Sequence, residues 1–475
     1  MAAHSTRVIL DSHPEWVALR DRALRYARGN METPRPDWNR QLTCMPGLGV
    51  IWEWDSCFMA FYAGYTPEGL HGLGNLDNLY SVQREDGYIS MAYLVETGEP
   101  IYGERVNPPL CAWSEWCYAR RTGDVSRLPR AYPVLVRFYD WLKANRRREN
   151  GLYYFEDTGS SGMDNSPRSG YSAHDLKGSD VCFVDLACQQ VLAARCLSEM
   201  ARSLGKEKEA DAHREEAEGL ADLINKLHWS DRTGFYHDLF CNTNNKLANK
   251  TIAAFWAMIA GVAKGERLET LVAHLSNPAT FGGCYHPVPT LSRDDPNFRP
   301  HGGYWLGSTW APTNYMVVRG LRENGYRELA RQIAARHLEV MTEVANGQFD
   351  SIWECYSPDE AAPATTPQGL MCRPDFVGWS GLGPIVMLVE DILGLDLRGI
   401  ENALTWRLRE RGRQGIEDFP FHGGTISLIA DVAEDDAFTV EIESDQPVRG
   451  EIHYPQSTRP IAFDFPAGKH HLSSR

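Results

Sequence analysis

Several familiar chemistries are missing from this 475-residue chain. It has 11 cysteines, but no Cys-x-x-Cys pair and no Cys/His spacing of a zinc site. Scattered and odd in number, they fit reduced thiols in a cytoplasm better than a disulfide framework. There is no Gly-x-Ser-x-Gly elbow, no P-loop and no Gly-x-Gly-x-x-Gly fingerprint, so no motif points to a bound nucleotide or a serine nucleophile. Basic residues are the minority: Lys+Arg 48 against Asp+Glu 63, a formal net charge of −15. With no dense basic patch, neither nucleic acid nor an anionic membrane is expected as a partner. The longest apolar run, Ile252 to Ala263, is too short to span a bilayer and reads as a buried helix. The opening MAAHSTRVILDSHPEW has no apolar core of a signal peptide, so a cytoplasmic location is expected.

What is present is an ordinary globule, 43% hydrophobic and 23% charged, with 14 Trp and 20 Tyr. Residues 12–395 read mostly as helix, with about twelve candidates. Ile333, Ala334, His337, Leu338, Met341, Val344 and Ala345 form one apolar stripe. Gly123, Gly205 and Gly325 each separate two helices, the pattern of αα-hairpins. Such hairpins build a bundle, a solenoid or a closed ring, and the lack of a fixed period counts against the solenoid. Five longer connections, 30–54, 84–109, 155–178, 277–308 and 355–378, are rich in Gly, Pro and aromatics. Loops of that length are usually functional or disordered, and these hold too many aromatics for disorder. They are expected to share one end of a helical ring and form a pocket. After residue 396 the period becomes two (Leu404, Trp406, Leu408; Phe438, Val440, Ile442; Phe463, Phe465), which predicts a small antiparallel β appendage over 396–475.

Four segments can carry chemistry. In 51–57, Trp52 and Trp54 flank Glu53, and Asp55 precedes a helix. Flat indoles beside a carboxylate suit a sugar ring, although Asp55 is equally readable as an N-cap. In 159–168, Asp164 lies among small residues that would let a ligand approach, or closes an Asx-turn. In 301–314, Trp305 and Trp310 approach a helix with Pro312 in its first turn, and either reads as wall or as core. In 349–356, Glu354 sits between aromatics before a long loop, a placement that tunes a carboxylate pKa. Gln83 could bond a hydroxyl or end a helix, Trp379 lies in a Gly-rich turn, and His337 is a core histidine by its position on an apolar face.

In order, WxWDS, DNSPR, YWxGxxWxPxNY, an E-x-Y segment and SGLG resemble the trehalase-like glycoside hydrolases with an (α/α)6 barrel. The resemblance is nearest to glycoside hydrolase family 63 and its mannosylglycerate and glucosylglycerate hydrolase branch, and it covers about residues 40–395. It implies an all-α (α/α)6 barrel over 1–395, with the β appendage outside it. It implies an inverting glycosidase acting on an α-linked small glycoside, with Asp164 as general acid and Glu354 as general base. Trp52, Trp54, Asp55, Trp305 and Trp310, with Gln83 and Trp379, would bind the sugar, and no cofactor or metal would be needed. The chain departs from the pattern at Met163, where the family often has Trp, and after Tyr356, where Ser-Pro-Asp and a longer stretch through Arg373 follow. Both departures leave glycerate specificity open. Two other functions remain: a sugar isomerase or epimerase, which wants a histidine pair drawn from His174, His286 and His301, and a carbohydrate-binding protein without turnover.

Overall fold

A computed structural model describes residues 6–33, 35–67, 70–168, 180–454 and 459–474. Among these residues the helices are α1 (Pro14–Gly29), α2 (Glu53–Ala60), α3 (Leu73–Ser81), α4 (Cys111–Thr122), α5 (Leu128–Asn145), α6 (Val184–Ser203), α7 (Glu207–Leu227), α8 (Trp256–Ile259), α9 (Glu266–Ser276), α10 (Ala311–Glu323), α11 (Arg327–Asn346) and α12 (Leu382–Ile392), the last wound as a π-helix. The three hairpins expected at Gly123, Gly205 and Gly325 are α4–α5, α6–α7 and α10–α11. Gly123 shows why glycine stands there. Its φ of 79° is left-handed, and an added Cβ would meet the Gly399 carbonyl at 2.8 Å.

Burial separates two kinds of helix. Every residue of α2 and α12 is buried, whereas α7 buries only Ala210, Ala217, Leu220, Ala221 and Ile224. A helix apolar all round belongs inside, and a striped one covers it. The contacts agree: α2, α4, α6, α8, α10 and α12 pack each on the next, and the turn Trp379–Gly381 leading into α12 returns to α2. Outside them α3 lies on α2, α5 on α4 and α6, α7 on α6, α11 on α10 and α12, and α1 on α11 and α12. Aromatic rings from the inner helices and their ends meet one another. Phe61 lies 4.4 Å from Trp113 and 5.2 Å from Tyr315, and Trp113 lies 5.8 Å from Trp256, between ring centroids. Near the end of α12, buried Glu390 receives Arg121 of α4 and Arg319 and Arg322 of α10. Burial opposes its charge, yet Arg322, Arg319 and Arg121 together hold its carboxyl down at about 2.

Residues 1–395 are not all-α. β1 (Arg7–Leu10) and the short strands β2 (Met31–Glu32), β3 (Gln41–Leu42), β4 (Val50–Trp52), β5 (Ala92–Leu94), β6 (Val181–Cys182), β7 (Trp229–Ser230), β8 (Phe235–Tyr236) and β9 (Leu239–Phe240) lie there, β2 to β9 as two-stranded ladders. Runs of two or three residues show no period, so pattern reading misses them. The C-terminal strands are β10 (Leu395–Arg398), β11 (Ala403–Arg407), β12 (Gly412–Phe421), β13 (Gly424–Val432), β14 (Phe438–Ser444), β15 (Val448–His453), β16 (Ile461–Phe465) and β17 (Gly468–Ser473). They form sheets ordered β1-β12-β13-β14-β17 and β10-β11-β15-β16. Two features correct the expected antiparallel appendage. β11 and β15 are parallel, and the N-terminal β1 completes the larger sheet by pairing with β12. Inward residues such as Trp406, Phe419 and Ile442 join the same hydrophobic core as the helices.

Trp406 ties the two regions together. It is fully buried in β11, and its Nε1 donates to the Leu393 carbonyl just after α12 at 2.9 Å. Trp406→Ala should cost about 3–5 kcal/mol of stability. Urea unfolding followed by circular dichroism checks this, and a loss under about 1 kcal/mol would mean that the β region contributes little to the helical core.

Candidate active site

The five long connections end at the N-termini of α2, α4, α6, α10 and α12, and each contributes to one cavity of about 270 Å³. Met45, Trp52, Trp54 and Asp55 come from the first connection and the start of α2, Tyr102, Arg105 and Asn107 from the second, and Asp164 from the third. The fourth supplies Tyr304 and Trp305, and the fifth supplies Arg373 and Phe376. Glu354 precedes the fifth and Trp379 follows it.

The walls are aromatic. Trp54 meets Trp379 edge-on at 5.4 Å and lies 6.2 Å from Trp305, while Trp52 stacks on Tyr102 at 5.6 Å. Trp54 owes its place to Gly162, since a Cβ there would fall 2.3 Å from the indole. The indole N–H groups of Trp52 and Trp379 have no hydrogen-bond partner in the described protein. Buried donors left unpaired cost about 1–3 kcal/mol, which a hydroxylated ligand would recover.

Three carboxyls face this space. Asp164 is exposed by surface area and lines the cavity, with protein packed closely around its carboxyl. Burial, then the charge on Glu354 and on Asp157, push its carboxyl up to about 7. Burial and then the charge on Glu354 also raise Asp55 to about 7, against a bond from the Cys44 thiol. Glu354 is raised by burial as well, but Tyr304 Oη donates to its Oε1 at 2.9 Å and the Arg373 amide to its Oε2 at 3.4 Å, and both favour the anion. Burial thus raises both carboxyls, and only Glu354 has side-chain and backbone donors from Tyr304 and Arg373 that oppose the rise.

The DNSPR segment is built as a bracket. Asn165 Nδ2 donates to the Gly303 carbonyl at 3.0 Å and its Oδ1 accepts from the Trp305 amide at 2.9 Å, which joins the Asp164 loop to the Trp305 turn. Arg168 is fully buried and forks to Asp185 (both contacts 2.6 Å) and to Asp238 (2.8 and 3.0 Å), with Phe183 under its guanidinium at 4.8 Å. The Asp238 and Asp185 carboxylates also accept from the amides of Val184 and Leu186 at the start of α6. Glu354 is fixed differently: Tyr356 and Thr309 exchange two backbone bonds of 2.9 Å, and Ser380 Oγ donates to the Trp353 carbonyl at 2.8 Å.

Not every expected site residue reaches the cavity. Gln83 does not: its Nε2 donates to the carbonyls of Gly87 and Val134 at 2.9 Å, and its Oε1 accepts from Arg137, so it closes a turn against α5. Trp310 is completely buried and not part of the lining. It stacks on Trp305 at 4.1 Å, and is the core member of the pair. Asp55 is the third residue of α2 and makes no N-cap bond. Met163 is buried with its sulfur 3.6 Å from Arg168, so that departure lies beneath the acid loop, whereas Arg373 does reach the cavity. Of the histidines, His174 lies outside the described residues. His286 is buried against His337 at 2.7 Å, and His301 pairs with Glu360 at the surface. Neither lines the cavity. Sequence reasoning passed over Tyr304, Asn165, Arg168, Arg105, Asn107 and Arg373. The first three stand inside or beside the motifs and were within reach, whereas Arg105, Asn107 and Arg373 carry no local signal.

One group among the described residues, Glu53, Cys57 and Cys111, brings three side chains of metal-ligand type within 4.8 Å. Both thiols point to Glu53 Oε1, at 3.4 and 3.0 Å, and burial raises the Glu53 carboxyl to about 8 and the Cys57 thiol well above its usual value.

Paired carboxyls among tryptophans in one cavity are equipment that suits a carbohydrate hydrolase. Residues 50–369 match the family described as the mannosylglycerate hydrolase MGH1-like glycoside hydrolase domain, and the chain belongs to that family; it is a GH63-like glycosidase. An uncharacterized protein of Borreliella burgdorferi is 28% identical over 394 residues, 79% of each chain. The mannosylglycerate hydrolase of Rubrobacter radiotolerans is 25% identical over 370 residues, 59% of this chain and 81% of that one. The GH63 mannosylglycerate hydrolase of Thermus thermophilus, solved with Tris and D-glycerate, shares the fold with a TM-score of 0.63 at 21% identity, over 77% of this chain and 99% of that one. Among the described residues no helix is long and apolar enough to cross a membrane.

Two outcomes follow from this geometry. Removing the guanidinium in Arg168→Met leaves Asp185 and Asp238 buried without a cation, which should cost about 3–5 kcal/mol in urea unfolding; a loss within about 0.5 kcal/mol would mean that the bracket is not structural. The second concerns pH. Asp164 holds its proton in the folded state through a range where the unfolded chain has lost it. The stability this confers is full at acid pH and is lost as pH rises through about 7. Asp164→Asn should therefore melt less steeply than the natural protein on going from about pH 5 to 8. Parallel melting curves for the two would show that Asp164 is not raised.

Proposed function

We propose that the chain is an inverting α-glycosidase for a small α-linked glycoside or oligosaccharide, working on an (α/α)6 barrel within residues 1–395, with residues 396–475 as an appendage. The observation that carries this reading is that Asp164 and Glu354 share one cavity, and that Glu354 alone of the two accepts from Tyr304 Oη and the Arg373 amide. Asp164 donates its proton to the glycosidic oxygen as the bond to the anomeric carbon breaks. Glu354 takes a proton from water, whose oxygen bonds to the opposite face of that carbon. The products are a sugar of inverted configuration and the free alcohol. Tyr304 and the Arg373 amide keep Glu354 ionised for this step. Trp54, Trp305 and Trp379 offer stacking faces, and Trp52 and Trp379 offer donors for hydroxyls. A cavity of about 270 Å³ suits a small substrate. Arg105 and Arg373 at its lining favour a polar or acidic aglycone, in line with the mannosylglycerate hydrolases among the relatives. A cytoplasmic location fits eleven cysteines that are all free thiols.

General acid and base assistance is each worth about 10²–10⁴ in rate. Asp164→Asn and Glu354→Gln should each lose at least about 10² in kcat with little change in substrate binding. Screening α-linked disaccharides and glycosylglycerates, with the first-formed anomer read by NMR, tests the class and the stereochemistry together. A retained anomer sinks the inverting assignment. Interconversion of free sugar without hydrolysis would favour the isomerase. Tight binding without turnover, unchanged by Asp164→Asn, would favour a binding protein.

A further inference from the structure

A second cavity, about 480 Å³, is larger than the first and lies at the other end of the inner helices. The C-terminal halves of α4 and α10, Glu390 near the end of α12, and Leu397 and Arg407 from β10 and β11 are among its walls. Its lining is basic in a chain of net charge −15: seven arginines stand against four carboxylates.

The carboxylates are already engaged. Glu390 takes Arg121, Arg319 and Arg322, Glu323 takes Arg319, Glu199 takes Arg202, and Asp396 takes Arg398. Arg120 reaches outward to Glu401 at 3.7 Å. Three lining arginines are left without a carboxylate at ion-pair distance among the described residues: Arg195, Arg327 and Arg407. Arg195, in the middle of α6, donates to the Gly261 carbonyl at 3.4 Å, and the charge of Glu218 reaches it from beyond ion-pair distance. Arg407 is half-buried, and its guanidinium is lowered by burial and then by the charge of Arg327, with Arg322 and Arg398 adding to it and Asp396, beyond ion-pair distance, opposing them. Arg327 is the first residue of the 20-residue α11. A cation there opposes the positive end of the helix; Glu328 in the same turn offsets part of it, and the preceding Tyr326 supplies no side-chain cap for the first-turn amides.

Positive charge gathered in a partly desolvated space and left unpaired is unfavourable until an anion enters. We propose that this cavity binds a small, multiply charged anion, its phosphate or carboxylate oxygens held by Arg195, Arg327 and Arg407 and by the first-turn amides of α11. The bound anion adds a charge partner at the pole where Glu390 already joins α4, α10 and α12, so it braces the ring from the end opposite the carboxyl cavity. The site is independent of the substrate reading above.

The test is calorimetric titration of the full chain in phosphate-free buffer with pyrophosphate and, separately, with citrate. Tryptophan fluorescence is followed in parallel because Trp113 and Trp116 line the cavity. Saturable binding of at least one anion is expected, and the one bound more tightly tells whether phosphate or carboxylate is preferred. Arg195→Gln with Arg407→Gln should weaken it by about 10-fold or more. Arg327→Glu, at an exposed position where folding is not at risk, should do the same. Glycoside turnover without anion should be unchanged in these variants. Arg105→Gln with Arg373→Gln, in the first cavity, should leave anion binding intact. Absence of saturable binding, full affinity in Arg327→Glu, or loss of binding in the Arg105/Arg373 variant would each overturn the proposal, the last by placing the anion in the substrate cavity.

Discussion

One buried guanidinium holds the acid loop in place. Arg168 has no access to solvent and is gripped by two aspartates that also receive the amides opening α6. Taking three charges out of water is expensive, and such a cluster rarely adds net stability over an apolar packing. What it provides is direction. Five N–H donors in a rigid plane can satisfy two carboxylates in only one orientation, so the loop that carries Asp164 has one resting position. Asn165 extends that order to the turn of Trp305, and Tyr304 in the same turn reaches Glu354. A chain of polar contacts thus runs from the start of α6 through the Asp164 loop to Glu354.

The cavity sets its proton states by unequal solvation. Asp55, Asp164 and Glu354 are all raised by burial, and they cannot all ionise together in a small space lined by indoles. Glu354 accepts from Tyr304 and the Arg373 amide, Asp55 from the Cys44 thiol, and negative charge on Glu354 raises both Asp55 and Asp164. The tryptophans form the low-polarity wall that makes the carboxyls sensitive to one another.

Much of this was legible in the chain. Helical period and glycine stops marked the hairpins, because an inner helix must be apolar all round and an outer one striped. Loop length and aromatic content marked the pocket, and all five long connections contribute to it. Asp164 and Glu354 stood out through the motifs they belong to, since Asp164 taken alone reads equally as the close of an Asx-turn. The parallel pairing of β11 with β15 and the recruitment of β1 into the larger sheet did not show, since neither partner lies near the other in sequence.

The amino-acid order by itself therefore determined the helix pairs, the period change near residue 400 and the motif residues, all of which depend on neighbours within a few turns. Only the tertiary structure decided which motif residues face the cavity. It sent Trp305 to the wall and Trp310 behind it, and turned Gln83 away to satisfy two backbone carbonyls. It also gathered Arg195, Arg327 and Arg407, scattered singly along an acidic chain, around one space. The physical reason is the same in each case. A side chain's partner is set by what the closed ring of helices brings within a few ångströms, and that depends on packing between elements far apart in the chain.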